Sequence, residues 1–153
     1  MRAARTVPGR EVTAIVGIDC ATDPKKTGVV GLAADGERFR VTLAALGDAP
    51  GSVARLAAAA AGPGPALFCL DAPLGWPAAL GRSLAPHAAG EALAEAESNR
   101  LFRRATDEFV RRRLGKQPLE VGADRIARTA AAALGVLAEL RALRAEVIPL
   151  AWS

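Results

Sequence analysis

Two short apolar runs that each stop at an aspartate constrain this chain more than any other feature: Ala14 to Ile18 ends at Asp19, and Ala66 to Leu70 ends at Asp71. Each run is too short for a helix. In the first, mostly β-branched residues interrupted only by Gly17 suit a strand covered on both faces. Thr22-Asp23-Pro24 then supplies turn chemistry, and a second apolar run from Gly28 to Leu32 follows, which places Asp19 at the mouth of a hairpin. An acid at such a position has two readings. It ends its strand by bonding the backbone amides of its own turn, or it stands ready for a partner.

The order of the remaining segments decides where the second acid falls. Thr27 to Ala34 reads as strand two, Ala34-Asp35-Gly36-Glu37 as a hairpin turn, and Arg38 to Leu46 as strand three. Ser52 is expected to cap a helix from Val53 to Ala61, which Gly62-Pro63-Gly64-Pro65 ends. Because a helix intervenes, the strand Ala66 to Leu70 is free to lie parallel to the first. Asp19 and Asp71 then converge at carboxyl ends on one sheet edge.

Beyond Asp71, Ala72 to Pro77 is expected to be a rigid loop, since two prolines and a glycine forbid regular structure. Trp76 is expected to pack on the core, and His87, the only histidine, to be an ordinary surface residue. Ser98 to Leu114 reads as one helix. Its wheel places Leu101, Phe102, Ala105, Phe109 and Val110 on one face, and Arg100, Arg103, Arg104, Asp107 and Arg111 on the other. Asp107 is thus an acid in a cationic stripe. The stripe is either a solvated face, where the Asp107 to Arg111 pair contributes roughly 0.2 to 0.5 kcal/mol, or a phosphate-binding surface of bidentate guanidinium groups. A long helix follows from Asp124, a suitable N-cap, to about Ala145, with Ile126, Ala130, Ala133, Leu134 and Leu137 facing the core. Glu146 to Trp152 reads as a last strand, with Pro149 marking an edge.

The 153 residues, 51% hydrophobic and 24% charged, suit one globular domain over 12–153 behind a flexible basic lead-in at 1–11. No apolar run approaches the ~18 residues that span a bilayer, and no secretory h-region follows the N-terminal arginines, so the expected compartment is the cytoplasm. Cys20 and Cys69 make no metal motif and are expected to be small buried hydrophobes. A formal charge of +4 and a pI near 9.8 permit a polyanionic partner.

Five stretches in order, GIDCAT with KTG, LDAPLGWP, RRATDEFVRRRLG, GADRIARTA and EVIP, together resemble the domain-of-unknown-function 429 family, described as predicted nucleases. The resemblance implies an α/β ribonuclease H-like mixed sheet: three antiparallel strands, a helix, a parallel fourth strand, then helices and a short last strand. It also implies a metal-dependent phosphodiester hydrolase acting on DNA or RNA. Asp19 and Asp71 match the family's strand-end acids, and Asp107, Asp124 and Glu146 its other recurring acidic positions. On this basis Asp19, Asp71, Asp124 and Glu146 are the expected catalytic residues, with Asp19, Asp71 and Asp124 holding Mg²⁺ or Mn²⁺. Arg104, Asp107, Arg111 and Arg125 are the expected contacts to substrate phosphate. Relatives continue past the EVIP-like strand into a further helix that the sequence is expected to lack, so either the chain is a truncated or degenerate member or Asp124 or Glu146 completes the site differently. A homo-oligomer is a possible assembly. Two rivals stand beside this reading: a non-catalytic nucleic-acid or protein-binding module of the same fold, and an actin-like ATPase or sugar-kinase domain, which resembles the same GIDCAT and KTG hairpin.

Overall fold

A computed structural model describes residues 12–36, 38–93, 97–122 and 124–150, the side chains of Asp124 and Arg125 excepted. The expected lead-in at 1–11 and the turn residue Glu37 lie outside the described residues. The chain divides into two compact units: one runs to Asp71 and resumes at Gly135, and the other is Ala72–Leu134.

The first unit is built on a mixed four-stranded sheet in the order β3-β2-β1-β4. Strand β1 (Ala14–Asp19) pairs antiparallel with β2 (Gly28–Asp35), from Ala14 opposite Ala33 to Asp19 opposite Gly28. β2 in turn pairs antiparallel with β3 (Arg38–Leu46), with a bulge where Gly31 opposes Leu43 and Leu32 opposes Val41. Gly36, at φ +60°, makes the tight turn between them. After helix α1 (Ser52–Ala61) the chain returns as β4 (Ala66–Leu70), parallel to β1, from Ala14 opposite Ala66 to Ile18 opposite Leu70. A parallel return needs such a crossover, so α1 sets the direction of β4.

Side-chain alternation sorts the sheet into two faces. Val16 and Ile18 of β1 and Val29 of β2 are buried in one cluster with Val53, Ala54 and Ala57 of α1 and Leu140 further along the chain. Gly31 lets the helix down onto the sheet, because a Cβ there would stand 2.7 Å from that of Ala60. The opposite face carries Ile15, Leu32 and Val41 in register, and there Val30, Val41 and Leu67 are exposed.

Ser52 does not cap α1. Gly51 takes the cap position in a left-handed conformation. The Ser52 hydroxyl accepts the N–H groups of Asp48 and Ala49 and donates to Ala49 O at 2.7 Å, which folds the preceding loop instead.

The second unit is helical. It contains α2 (Ala78–Leu84), α3 (Ser98–Phe102), α4 (Ala105–Leu114) and the first half of α5 (Asp124–Arg144), whose second half belongs to the first unit. The expected helix Ser98 to Leu114 is therefore two helices, because Arg103 and Arg104 are extended. Phe109, expected on the core face, is 62% exposed, and Trp76 is 40% exposed in its loop. Along α5 the expected stripe holds in part: Ala130, Ala133 and Leu137 are buried, while Ile126 and Leu134 are half-buried.

No strand forms over the described part of Glu146 to Trp152. Helix α5 ends at Arg144, and Ala145 follows at φ +51°. The segment beyond is held by side chains rather than a ladder: Arg141 Nη2 donates to Ile148 O at 2.8 Å, and Arg144 pairs with Glu146. Arg144 also donates to Gly62 O at 2.8 Å and lies over the Phe68 ring, 5.7 Å from its centre. Pro149 lacks an N–H to give a ladder, the Ile148 carbonyl is taken by Arg141, and among the described residues the sheet ends at β4.

Candidate functional site

The parallel register carries β1 and β4 to a common end. Ile18 opposes Leu70, and the Asp71 N–H donates to Ile18 O at 3.0 Å, so the ladder runs one residue past β4 and sets Asp71 beside Asp19. Both residues are exposed. Among the described residues, neither carboxylate accepts a hydrogen bond or joins an ion pair.

The reason lies in the adjoining turn, which satisfies itself. Asp23 accepts the Lys25 N–H at 3.0 Å and caps a single 3-10 turn, Pro24–Lys26. The buried Thr27 hydroxyl accepts the Ala21 N–H at 3.2 Å and bonds back to the carbonyls of Ala21 and Asp23. The turn-binding role open to Asp19 thus belongs to Asp23, and Asp19 is left facing solvent. Gly28, directly opposite, adds no side chain over it.

Cys20 reports on the pair. Its thiol is pushed up to about 11, first by burial and then by the negative charges of Asp71 and Asp19, against a smaller opposing effect from the Asp71 amide. One sulfur therefore feels both carboxylates. The sequence treats Cys20 as an inert hydrophobe, and the only sign of its place is its position directly after the strand-end acid. Cys69, expected to be buried, is exposed.

The other expected site residues are placed differently. Glu146 pairs with Arg144, which binds the carbonyls of Gly62 and Gly64 ahead of β4. At roughly 3.3 Å per residue, that end of β4 is about 20 Å from Asp71, so Glu146 is not brought to the aspartate pair. The side chains of Asp124 and Arg125 lie outside the described residues. Among the described residues, no three His, Cys, Asp or Glu side chains gather around one point.

Asp107 does not stand in an exposed cationic stripe. It is 2% exposed, and its carboxylate accepts the Arg104 backbone N–H at 2.8 Å, Arg104 Nε at 3.0 Å and Nη2 at 2.5 Å. This closes the start of α4, with Asp107 at the third helical position reaching back to the cap. Arg103 pairs with Glu108 at 3.4 Å and lies 3.5 Å from Glu120, and its buried Nε has no hydrogen-bond partner. Arg111 is exposed and, among the described residues, has no carboxylate partner.

The model of the family described as "Protein of unknown function (DUF429)" matches residues 17–150. The chain belongs to the DUF429 family. The match takes in both strand ends and the arginine-rich segment, so the aspartate pair and the α3 and α4 helices all fall within the residues matched to DUF429. No curated protein and no solved structure matches the chain.

Chemically, the DUF429 chain offers two hard, unneutralised oxygen donors at the end of a rigid parallel pair. That donor set fits Mg²⁺ or Mn²⁺, which use one or two protein carboxylates and complete their shell with water and substrate oxygens. Lys25 and Lys26, exposed in the adjoining turn, add positive charge at the same end of β1.

Proposed function

We propose that this chain is a divalent-metal-dependent phosphodiester hydrolase of ribonuclease H-like fold, acting on nucleic acid. The observation that carries the reading is the side-by-side placement of Asp19 and Asp71, exposed and without a cation or donor among the described residues. Like charges held together in the absence of a counter-charge destabilise a fold, so a pair kept this way points to an incoming cation. Bound Mg²⁺ or Mn²⁺ supplies neutralisation of phosphate charge and activation of water. Asp19 and Asp71 would hold it. The ladder bond between Asp71 N–H and Ile18 O fixes their separation, and Lys25 and Lys26 draw the polyanion toward the strand ends.

The test is thermal melting of the parent and of Asp71→Asn, each with and without Mn²⁺. Without metal the variant is expected to melt at or above the parent temperature, since one of two repelling charges is gone. At one hundred times its dissociation constant, Mn²⁺ is expected to stabilise the parent by about 2.7 kcal/mol and the variant by much less. Cleavage of a labelled oligonucleotide should then require Mn²⁺ or Mg²⁺ and both aspartates. Absence of any metal-induced shift would sink the hydrolase reading in favour of a non-catalytic binding module. A shift caused by ATP instead would favour the kinase-like reading.

A further inference from the structure

The break between α3 and α4 turns an arginine stripe into a cup. Arg103 and Arg104 are extended, so Arg100 on α3 and Arg111 on α4 are turned around a hollow of about 330 Å³ instead of lying along one helix face. Arg100, Arg103, Arg104 and Arg111 line it together with Asn99, and the carboxylates on its wall are Glu97 and Glu108. We propose that this hollow receives a phosphomonoester dianion, a site independent of the aspartate pair.

The arginines divide into positioned groups and a free one. Asp107 grips Arg104 through Nε and Nη2, which fixes the plane of that guanidinium and leaves Nη1 unengaged by the carboxylate. Glu108 takes Nη1 of Arg103, and the buried Nε of Arg103, which makes no hydrogen bond, lies 3.5 Å from the Glu120 carboxylate, so Arg103 is a positioned group and not a free one. Arg111 has no partner among the described residues, so its full fork is available. The hollow also reaches Ala105, the first residue of α4, whose N–H is one that no helical carbonyl accepts. Fixed guanidinium planes, a free fork and a helix start all favour an oxyanion with several acceptor oxygens.

Size selects within that class. A volume of about 330 Å³ is at the lower end of small-ligand sites and holds a phosphoryl group with a sugar. The preferred ligand is therefore a terminal phosphate, whose third charged or protic oxygen a phosphodiester lacks. Its source is either the 5′ end of a nucleic-acid strand or a small phosphorylated metabolite.

Calorimetric titration of the full chain in EDTA tests this apart from the hydrolase reading. The probes are inorganic phosphate, ribose 5-phosphate, dimethyl phosphate, and one short oligonucleotide with either a 5′-phosphate or a 5′-hydroxyl. Phosphate and ribose 5-phosphate are expected to bind at least tenfold tighter than dimethyl phosphate. Arg111→Ala should weaken that binding at least tenfold while leaving the melting temperature unchanged, because Arg111 is exposed and holds no partner among the described residues. A tenfold preference for the 5′-phosphorylated oligonucleotide would identify a strand end as the source, and preference for ribose 5-phosphate alone a metabolite; both support the site. Equal binding of monoester and diester, or full binding by Arg111→Ala, would overturn it.

Discussion

The Cys20 thiol titrates near 11 instead of 9.0 because it is buried and because Asp71 and Asp19 are close by. The folded state therefore binds this proton more tightly than the unfolded state does. The stabilisation is complete below about pH 9 and is lost as the pH rises through about 11. In a Cys69→Ser background, iodoacetamide labelling of Cys20 is expected to be slow at pH 8 and to climb toward pH 11. Asp71→Asn should move that profile to lower pH, and an unmoved profile would place Asp71 away from the thiol. Asp107 has a different role at the same scale. Buried and holding both the backbone and the guanidinium of Arg104, it is expected to lose about 1 to 3 kcal/mol on Asp107→Asn, measured by urea unfolding. The sequence shows that Arg104 and Asp107 are three residues apart. It does not show that the carboxylate turns inward to close a helix, because a capping acid and a solvated acid have the same spacing.

At the scale of elements, the two faces of the sheet should respond differently to substitution. Ile18 is buried against α1, so Ile18→Ala is expected to cost about 2 to 5 kcal/mol. Val41 is 59% exposed on the other face, and Val41→Thr should change stability by no more than about 0.5 kcal/mol. The urea midpoints of the two variants provide the comparison. Gly31→Ala belongs with the first group, since its methyl would meet Ala60. Strands β1, β2 and β4 were legible in sequence because each contains a short apolar run bounded by turn residues, β3 because it follows the Gly36 turn, and β3 and β4 lie where those signals place them. The helix break at Arg103 and Arg104 was not legible. No residue from Ser98 to Leu114 opposes helix, so propensity runs through a point where the Arg104 to Asp107 contact starts a new one. The sequence does not single out the short helix α2 beside its proline-rich loop, and in the segment expected as a last strand Arg141 of α5 takes the Ile148 carbonyl instead.

For the whole molecule, a charge of +4 permits a polyanionic partner, and binding of nucleic acid under the proposed function is expected to fall with salt. Arg111→Ala should lower the slope of log K against log salt on duplex DNA by about 0.9 for each phosphate that Arg111 neutralises, equally for unrelated sequences. An unchanged slope would mean that Arg111 contacts no backbone phosphate of duplex DNA. Among the described residues, no helix is long and apolar enough to cross a membrane, in keeping with the short apolar runs. What the sequence by itself determined is local: which segments extend, where each apolar run stops, and that a helix between Leu46 and Ala66 makes β4 parallel to β1. That topology brings Asp19 and Asp71 together, because a crossover helix allows β4 to run parallel to β1 and the matching apolar runs set the register. Which charges are free was decided only by tertiary structure. Asp19 stands open because Thr27 and Asp23 close the turn without it, Glu146 is drawn to the far end of β4 by Arg144, and Asp107 is buried under Arg104. Each of these is a competition among neighbours for one carboxylate, and distance in space settles it where spacing in sequence does not.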